Sequence, residues 1–113
     1  MEVVNGNKNW PLVLTYEALG TAFLLICINW SRGNASGITV GILISIVTLG
    51  WASGGHFNPA VTIGVLIKET FSKRIPLSKN FCFAFGIILA QLVGACLGCI
   101  CVYVSISPRE STV

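Results

Sequence analysis

The chain has 113 residues, of which 54% are hydrophobic and 10% charged, and its net charge is +3. A soluble domain carries about 25% charged residues, and one this short hides its apolar residues by alternating them with polar ones. Here they come in long blocks, so lipid is the expected solvent. No basic patch is interleaved with aromatics, which argues against nucleic-acid binding. The five cysteines, Cys27, Cys82, Cys96, Cys99 and Cys101, sit inside apolar stretches. They form no paired CxxC motif and no His/Cys cluster, so neither zinc nor a disulfide framework is expected. No nucleophile–base pair or metal set stands out, so neither an enzyme nor a cofactor is indicated.

Residues 1–11 are polar and end in Trp10-Pro11, an interfacial aromatic followed by a residue suited to the first turn of a helix. The pattern of a cleaved signal peptide is not visible there. Leu12 to Trp30 has about the 20 residues needed to cross a bilayer. Its anomaly is Glu17, because a lone carboxylate in hydrocarbon costs several kcal/mol unless it is hydrogen-bonded. Glu17, Gly20, Thr21 and Leu24 follow helical spacing and share one face, which must point at protein. Glu17 is therefore expected to receive backbone donors from an irregular segment within the bundle. Residues 31–37 form a turn containing Asn34-Ala35-Ser36, a glycosylation acceptor pattern whose use is opposed by its closeness to the bilayer. Gly37 to Ala52 is the second span, with Gly37, Gly41 and Ser45 forming a small-residue packing stripe.

Residues 53–69 are the informative segment. Gly54-Gly55 permits irregular backbone. Asn58 is a favoured N-cap, and Pro59 is favoured at the first helical position. Ala60 to Ile67 is a short apolar run, and a helix from Pro59 to Lys68 would be about 15 Å long, half a bilayer. This predicts a re-entrant half-helix whose N-terminus lies near the membrane midplane, where unpaired backbone is tolerated only beside protein or a water-filled cavity. The third span, about Phe81 to Ile106, carries Gly86, Ala90, Gly94 and Gly98 at four-residue spacing, together with one strongly polar residue, Gln91. Gln91 either bonds to a neighbouring helix or lines a path. Residues 107–113 form a tail ending in Ser111-Thr112-Val113, which fits a PDZ-type C-terminal pattern. The fold class is thus all-α membrane: three spans plus one half-helix.

The chemistry follows from the half-helix. Its N-terminus presents partial positive charge, which repels cations and protons. Asn58 can cap through its side-chain oxygen and leave its NH₂ free to donate to a solute oxygen. The carbonyls of Gly54, Gly55, His56 and Phe57 would supply acceptors. Such a wall suits small neutral hydrogen-bonding molecules.

These segments resemble the aquaporin (major intrinsic protein) family. Glu17-Ala18-Leu19-Gly20-Thr21 is similar to its E-x-x-G-T signature. Ser53-Gly54-Gly55-His56-Phe57-Asn58-Pro59-Ala60-Val61-Thr62 is similar to its first Asn-Pro-Ala box, and Ala90-Gln91-Leu92-Val93-Gly94-Ala95 to its third-helix motif. The resemblance covers roughly residues 11–106. It implies passive transport of water or another small neutral solute such as ammonia or glycerol, a multi-pass membrane location, and a homotetramer for the whole protein. It implies that Glu17 braces the re-entrant loops, that His56 orders its loop near the cytoplasmic mouth, and that Asn58, with Pro59 and Ala60, forms the first of two pore boxes. One selectivity-filter position falls on the second span, at Ile38 by ungapped counting or at Val40 if Gly41 pairs with the family's glycine. Neither is the Trp typical of glycerol facilitators or the Phe of strict water channels. Gly54-Gly55 before His56 is similar to the tonoplast-type branch and to animal channels that pass ammonia.

The family has six spans in two inverted repeats; this sequence carries three spans and one half-helix, without a second Asn-Pro-Ala box or a filter Arg. A fragment or truncated product is therefore expected, with its small-residue faces short of partners and no conduction by the chain alone. Two other classes compete: a non-conducting subunit that modulates a full-length relative, and a membrane interaction protein without a pore. Lys8, Lys68, Lys73, Arg74 and Lys79 lie on one side of the predicted spans, against Arg32 and Arg109 on the other. That bias places the N-terminus and the entry of the half-helix in the cytoplasm.

Overall fold

The computed structural model describes residues 9–72 and 77–110. Lys8, Lys73, Arg74, most of the N-terminal segment and Ser111-Thr112-Val113 lie outside the described residues. Four helices follow in order: α1 Trp10–Trp30, α2 Ala35–Ser53, α3 Pro59–Phe71 and α4 Leu77–Glu110. No strand occurs among the described residues. Three helices are long and apolar enough to cross a membrane: α1, α2 and the Ser78–Ile106 stretch of α4. The all-helical class, with three helices able to span and one shorter helix, is the architecture of the described residues.

Local chemistry sets the helix ends. Pro11 occupies the first turn of α1. The α1–α2 connection is short because Asn34 caps α2 directly, its side chain accepting from the Ser36 N–H at 2.9 Å. That cap starts α2 at Ala35, ahead of the expected Gly37. Gly54 ends α2 with φ 110°, a left-handed conformation suited to glycine. At its N-terminal end α4 exceeds the expected span, because Ser78-Lys79-Asn80 continues the helix beyond the apolar run.

Helix α1 is central: it packs on both α2 and α4, while α3 packs on α4 and α2 touches neither. A Cβ at Gly37 would meet Ser31 and one at Gly41 would meet Cys27, so α2 runs antiparallel to α1. On the other side, Gly86 faces Leu14, Gly94 faces Ala18 and Gly98 faces Ala22, so α4 runs parallel to α1. The edge-on stacking of Trp10 on Phe83, ring centroids 4.4 Å apart, fastens the α1 and α4 starts together. A Cβ at Gly94 would overlap the Ala18 carbonyl, and one at Gly98 would lie 2.6 Å from the Ala22 carbonyl. Both small-residue stripes therefore already have a partner in α1. This corrects the expectation that half a bundle leaves them unpaired: α1 passes between the two, meeting the α2 stripe with the short side chains of Ser31 and Cys27 and the α4 stripe with the Ala18 and Ala22 carbonyls.

Candidate functional site

The site begins with a buried carboxylate. Glu17 is fully buried, with Gly20 and Thr21 buried on the same face of α1. Its Oε1 accepts from the His56 backbone N–H at 3.0 Å. Its Oε2 accepts from the Phe57 N–H at 2.8 Å and from Gln91 Nε2 at 2.8 Å. One side chain thus satisfies two amides of the α2–α3 loop and one amide group of α4. Charge-assisted bonds of this kind are roughly twice as strong as neutral ones.

The loop is bent to meet it. Gly54, Gly55 and Phe57 all have positive φ, at 110°, 70° and 46°. At Gly55 a Cβ would come within 3.2 Å of the Gly50 Cα, so a side chain there would crowd Gly50 as well as strain φ. Phe57 pays about 1–2 kcal/mol for a left-handed backbone. Burial of its ring against Gly20, where a Cβ would overlap the ring, and the bond to Glu17 offset that cost. Any contact of Phe57 with a solute would therefore run through its backbone. Ser53 Oγ accepts from the Gly55 N–H at 3.0 Å and closes the bend.

Asn58 then starts α3. Its Oδ1 accepts from the Ala60 N–H at 2.8 Å, and Pro59 lies in the first turn, so the cap uses only the oxygen of the carboxamide. Asn58 is exposed, and its Nδ2 has no partner among the described residues. Pro59 is half-buried and Ala60 exposed. Helix α3 docks through Thr62, which is buried and accepts from Gln91 Nε2 at 3.0 Å. Val61 and Ile63 are exposed, and a Cβ at Gly64 would meet nothing within 4 Å. The start of α3 thus lies beside Gln91, near the middle of the apolar Ser78–Ile106 stretch, and the helix runs back toward the start of α4.

The structure gathers Gly54, Gly55, His56, Phe57, Asn58, Glu17 and Gln91 at one level. It does not bring Ile38 or Val40 there. Both lie in the first turns of α2, about 20 Å along the helix from the loop, with Ile38 half-buried and Val40 exposed. Gly94 lies one turn beyond Gln91 and sets how closely α4 approaches α1. Sequence reasoning passed over two members of the site, Thr62 and Ser53. The available signal for Thr62 was its place as the lone polar side chain within Ala60 to Ile67.

Residues 16–112 match the Major intrinsic protein family. The chain is 36% identical to a probable glycerol uptake facilitator protein of Thermotoga maritima, over 82% of this chain and 43% of that one. It is 35% identical to a probable NIP-type aquaporin of Nicotiana alata, over 74% and 33%. It is 30% identical to aquaporin-2 of Orycteropus afer, over 77% and 73%. The chain thus spans less than half the length of the first two relatives. No solved structure matches it.

Proposed function

This chain belongs to the major intrinsic protein family, and from that premise we propose that it forms one half of a path for water or another small neutral solute across a membrane. It is an integral multi-pass membrane protein with three spanning helices. The observation that carries the proposal is the start of α3: a helix N-terminus at mid-height of the spans, capped by the Asn58 oxygen, with the Asn58 NH₂ unspent. In this reading α3 is re-entrant. Asn58 donates to the solute, carbonyls of Gly54 to Phe57 accept from it, and the exposed flank of α3 around Ala60, Val61 and Gly64 faces the path. Glu17 and Gln91 brace the loop, and Gly94 holds α4 against α1. Ile38 or Val40 would contribute at a separate narrowing toward the other end of α2. Lys68 and Lys79 mark the cytoplasmic side, so both the N-terminus and the entry of α3 face the cytoplasm.

The names of the relatives cover glycerol facilitators as well as aquaporins, which supports a small neutral solute as a class and leaves glycerol, ammonia and water within it. A path of this design needs a second half-helix entering from the opposite face. The whole assembly, expected to be a homotetramer in lipid, conducts only when that half is supplied. The described residues hold one half-helix, which favours as second reading a non-conducting subunit that pairs with a complete relative.

Osmotic shrinkage of liposomes, followed by light scattering, tests the proposal. The chain alone is expected to match empty liposomes. Co-reconstitution with the second repeat of a family member is expected to raise water or glycerol flux, and Asn58→Asp to lower that flux or admit ions, because it replaces a donor with a negative acceptor. Flux and ion exclusion unchanged by Asn58→Asp, at equal protein incorporation, would refute it.

A further inference from the structure

We propose that Lys68 is a specificity-determining residue: it makes the flank of α3 that carries Asn58 positive at its far end, where the helix by itself would attract cations. Asn58, Val61, Val65 and Lys68 follow one another at steps of three, four and three residues and so share one side of α3. Asn58, Val61 and Lys68 are exposed, Val65 is half-buried, and the exposed Gly64 adjoins them. Thr62 and Glu69, seven residues apart, lie on a different side, the one that docks on α4 through Gln91. Lys68 therefore stands about 15 Å from Asn58 along the same flank, in the last turn of α3. The bias of cations toward one membrane face accounts for a lysine in this segment but not for its side of the helix.

The charge matters because a half-helix has two ends. The dipole that directs about half a positive charge at Asn58 leaves about half a negative charge at the last turn. Glu69 adds a full negative charge to that turn, and its Oε2 lies 3.5 Å from Ser72 Oγ. Lys68 forms no ion pair with Glu69 or with any other described residue, so its ammonium acts on the flank. The balance is read at Gly64. It is six residues from Asn58 and seven from Phe71, so the two dipole ends nearly cancel there. The Lys68 ammonium, one turn on, is about 7 Å away, and the Glu69 carboxylate, round the helix, is about 12 Å away. In water-like dielectric, a unit charge at about 7 Å changes the local concentration of a monovalent ion about threefold, and one at about 12 Å about twofold. The lysine thus outweighs the glutamate on this flank, and without it the sign reverses.

This role rests on the channel reading, and one experiment separates the two. The chain is reconstituted in liposomes with the second repeat of a family member, and water flux is measured by osmotic shrinkage. Gly64→Cys, in a background lacking the five native cysteines, then reports the sign of the flank. It is treated with a cationic and an anionic methanethiosulfonate, each rate divided by that for free cysteine. The charges act on the two reagents in opposite directions, so the anionic one is expected to lead about twofold. Lys68→Arg keeps the charge and is expected to keep that preference. Lys68→Gln is expected to invert it, to about threefold for the cationic reagent, and high salt to shrink both preferences. Three results, each in liposomes that do pass water, overturn the assignment and leave the channel reading standing: a cationic preference in the parent, a Lys68→Gln ratio equal to the parent's, or a thiol that neither reagent reaches. Absence of water flux overturns the channel reading and the assignment with it. If Lys68→Gln does not assemble, the parent and Lys68→Arg still decide: an anionic preference in both supports the assignment, and a cationic preference in either overturns it.

Discussion

Replacing Glu17 with Gln should release the α2–α3 loop while leaving the helices in place. The glutamine can keep its oxygen at the Oε2 position and continue to accept from the Phe57 N–H and Gln91. Its NH₂ then faces the His56 N–H, donor against donor. A buried backbone N–H without a partner costs about 1–3 kcal/mol. Loss of the charge weakens the two remaining bonds, so the total is about 2–4 kcal/mol. The left-handed strain at Phe57, about 1–2 kcal/mol, then has less to oppose it. At 1.4 kcal/mol per tenfold, local opening should rise roughly 30-fold to 1,000-fold. Hydrogen exchange of the His56 and Phe57 amides in detergent-solubilised protein measures it, with the amides of α1 and α4 as internal controls. Glu17→Ala orphans all three donors, and the same arithmetic gives about 3–9 kcal/mol, on the scale of a whole domain's stability. The reasoning is refuted if His56 and Phe57 in folded Glu17→Gln exchange within threefold of the parent.

Gly94→Val should lower the thermal midpoint in detergent by the equivalent of about 1–3 kcal/mol, because its side chain meets the Ala18 carbonyl and forces α4 away from α1. Gly64→Ala, which meets nothing within 4 Å, should be neutral or stabilising by up to about 1 kcal/mol; equal midpoints for the two variants would contradict the packing. A cysteine placed at Asn34, in a background lacking the five native ones, should react with an impermeant thiol reagent from outside intact cells. Reaction only after permeabilisation would reverse the orientation.

What could be read ahead of the structure depended on whether a residue's cost was local. The all-helical class follows from three long apolar runs, and Glu17 stands out because its penalty in hydrocarbon needs no knowledge of the partner. Gly54-Gly55 and Asn58-Pro59 advertise a bend and a helix start through their own backbone preferences. The partners of Glu17 were not legible in detail, since Gln91 lies 74 residues away and Phe57 is not a residue type that signals a left-handed backbone. Thr62 was hidden for a related reason. A threonine within an apolar helix usually bonds its own preceding turn, as Thr15, Thr21 and Thr48 do here, so its second role depends on packing alone. The glycine stripes announced close approach without naming the partner, and only the fold shows α1 lying between them.

The bracing carboxylate and the expected failure of the chain to conduct alone have a common origin in the half-helix. A helix that begins at mid-height brings irregular backbone with it, and hydrocarbon offers no partners for those N–H groups. A carboxylate, with four lone-pair directions and no donor, is the most economical answer, and Glu17 uses three of them. The price is a buried charge, and the result is a helix end whose partial positive charge stays directed at the open side. That end carries about half an elementary charge. A monovalent cation about 5 Å away, at an effective dielectric of about 20, is opposed by about 1.7 kcal/mol, roughly 15-fold. Two opposed ends give about 3.3 kcal/mol, a few hundred-fold. On the proposed reading, one half-helix would make a weak barrier to ions and line one half of a path, whereas two would make a selective one. The proposal therefore gives the geometry around Asn58 its selectivity only when a second such helix faces it.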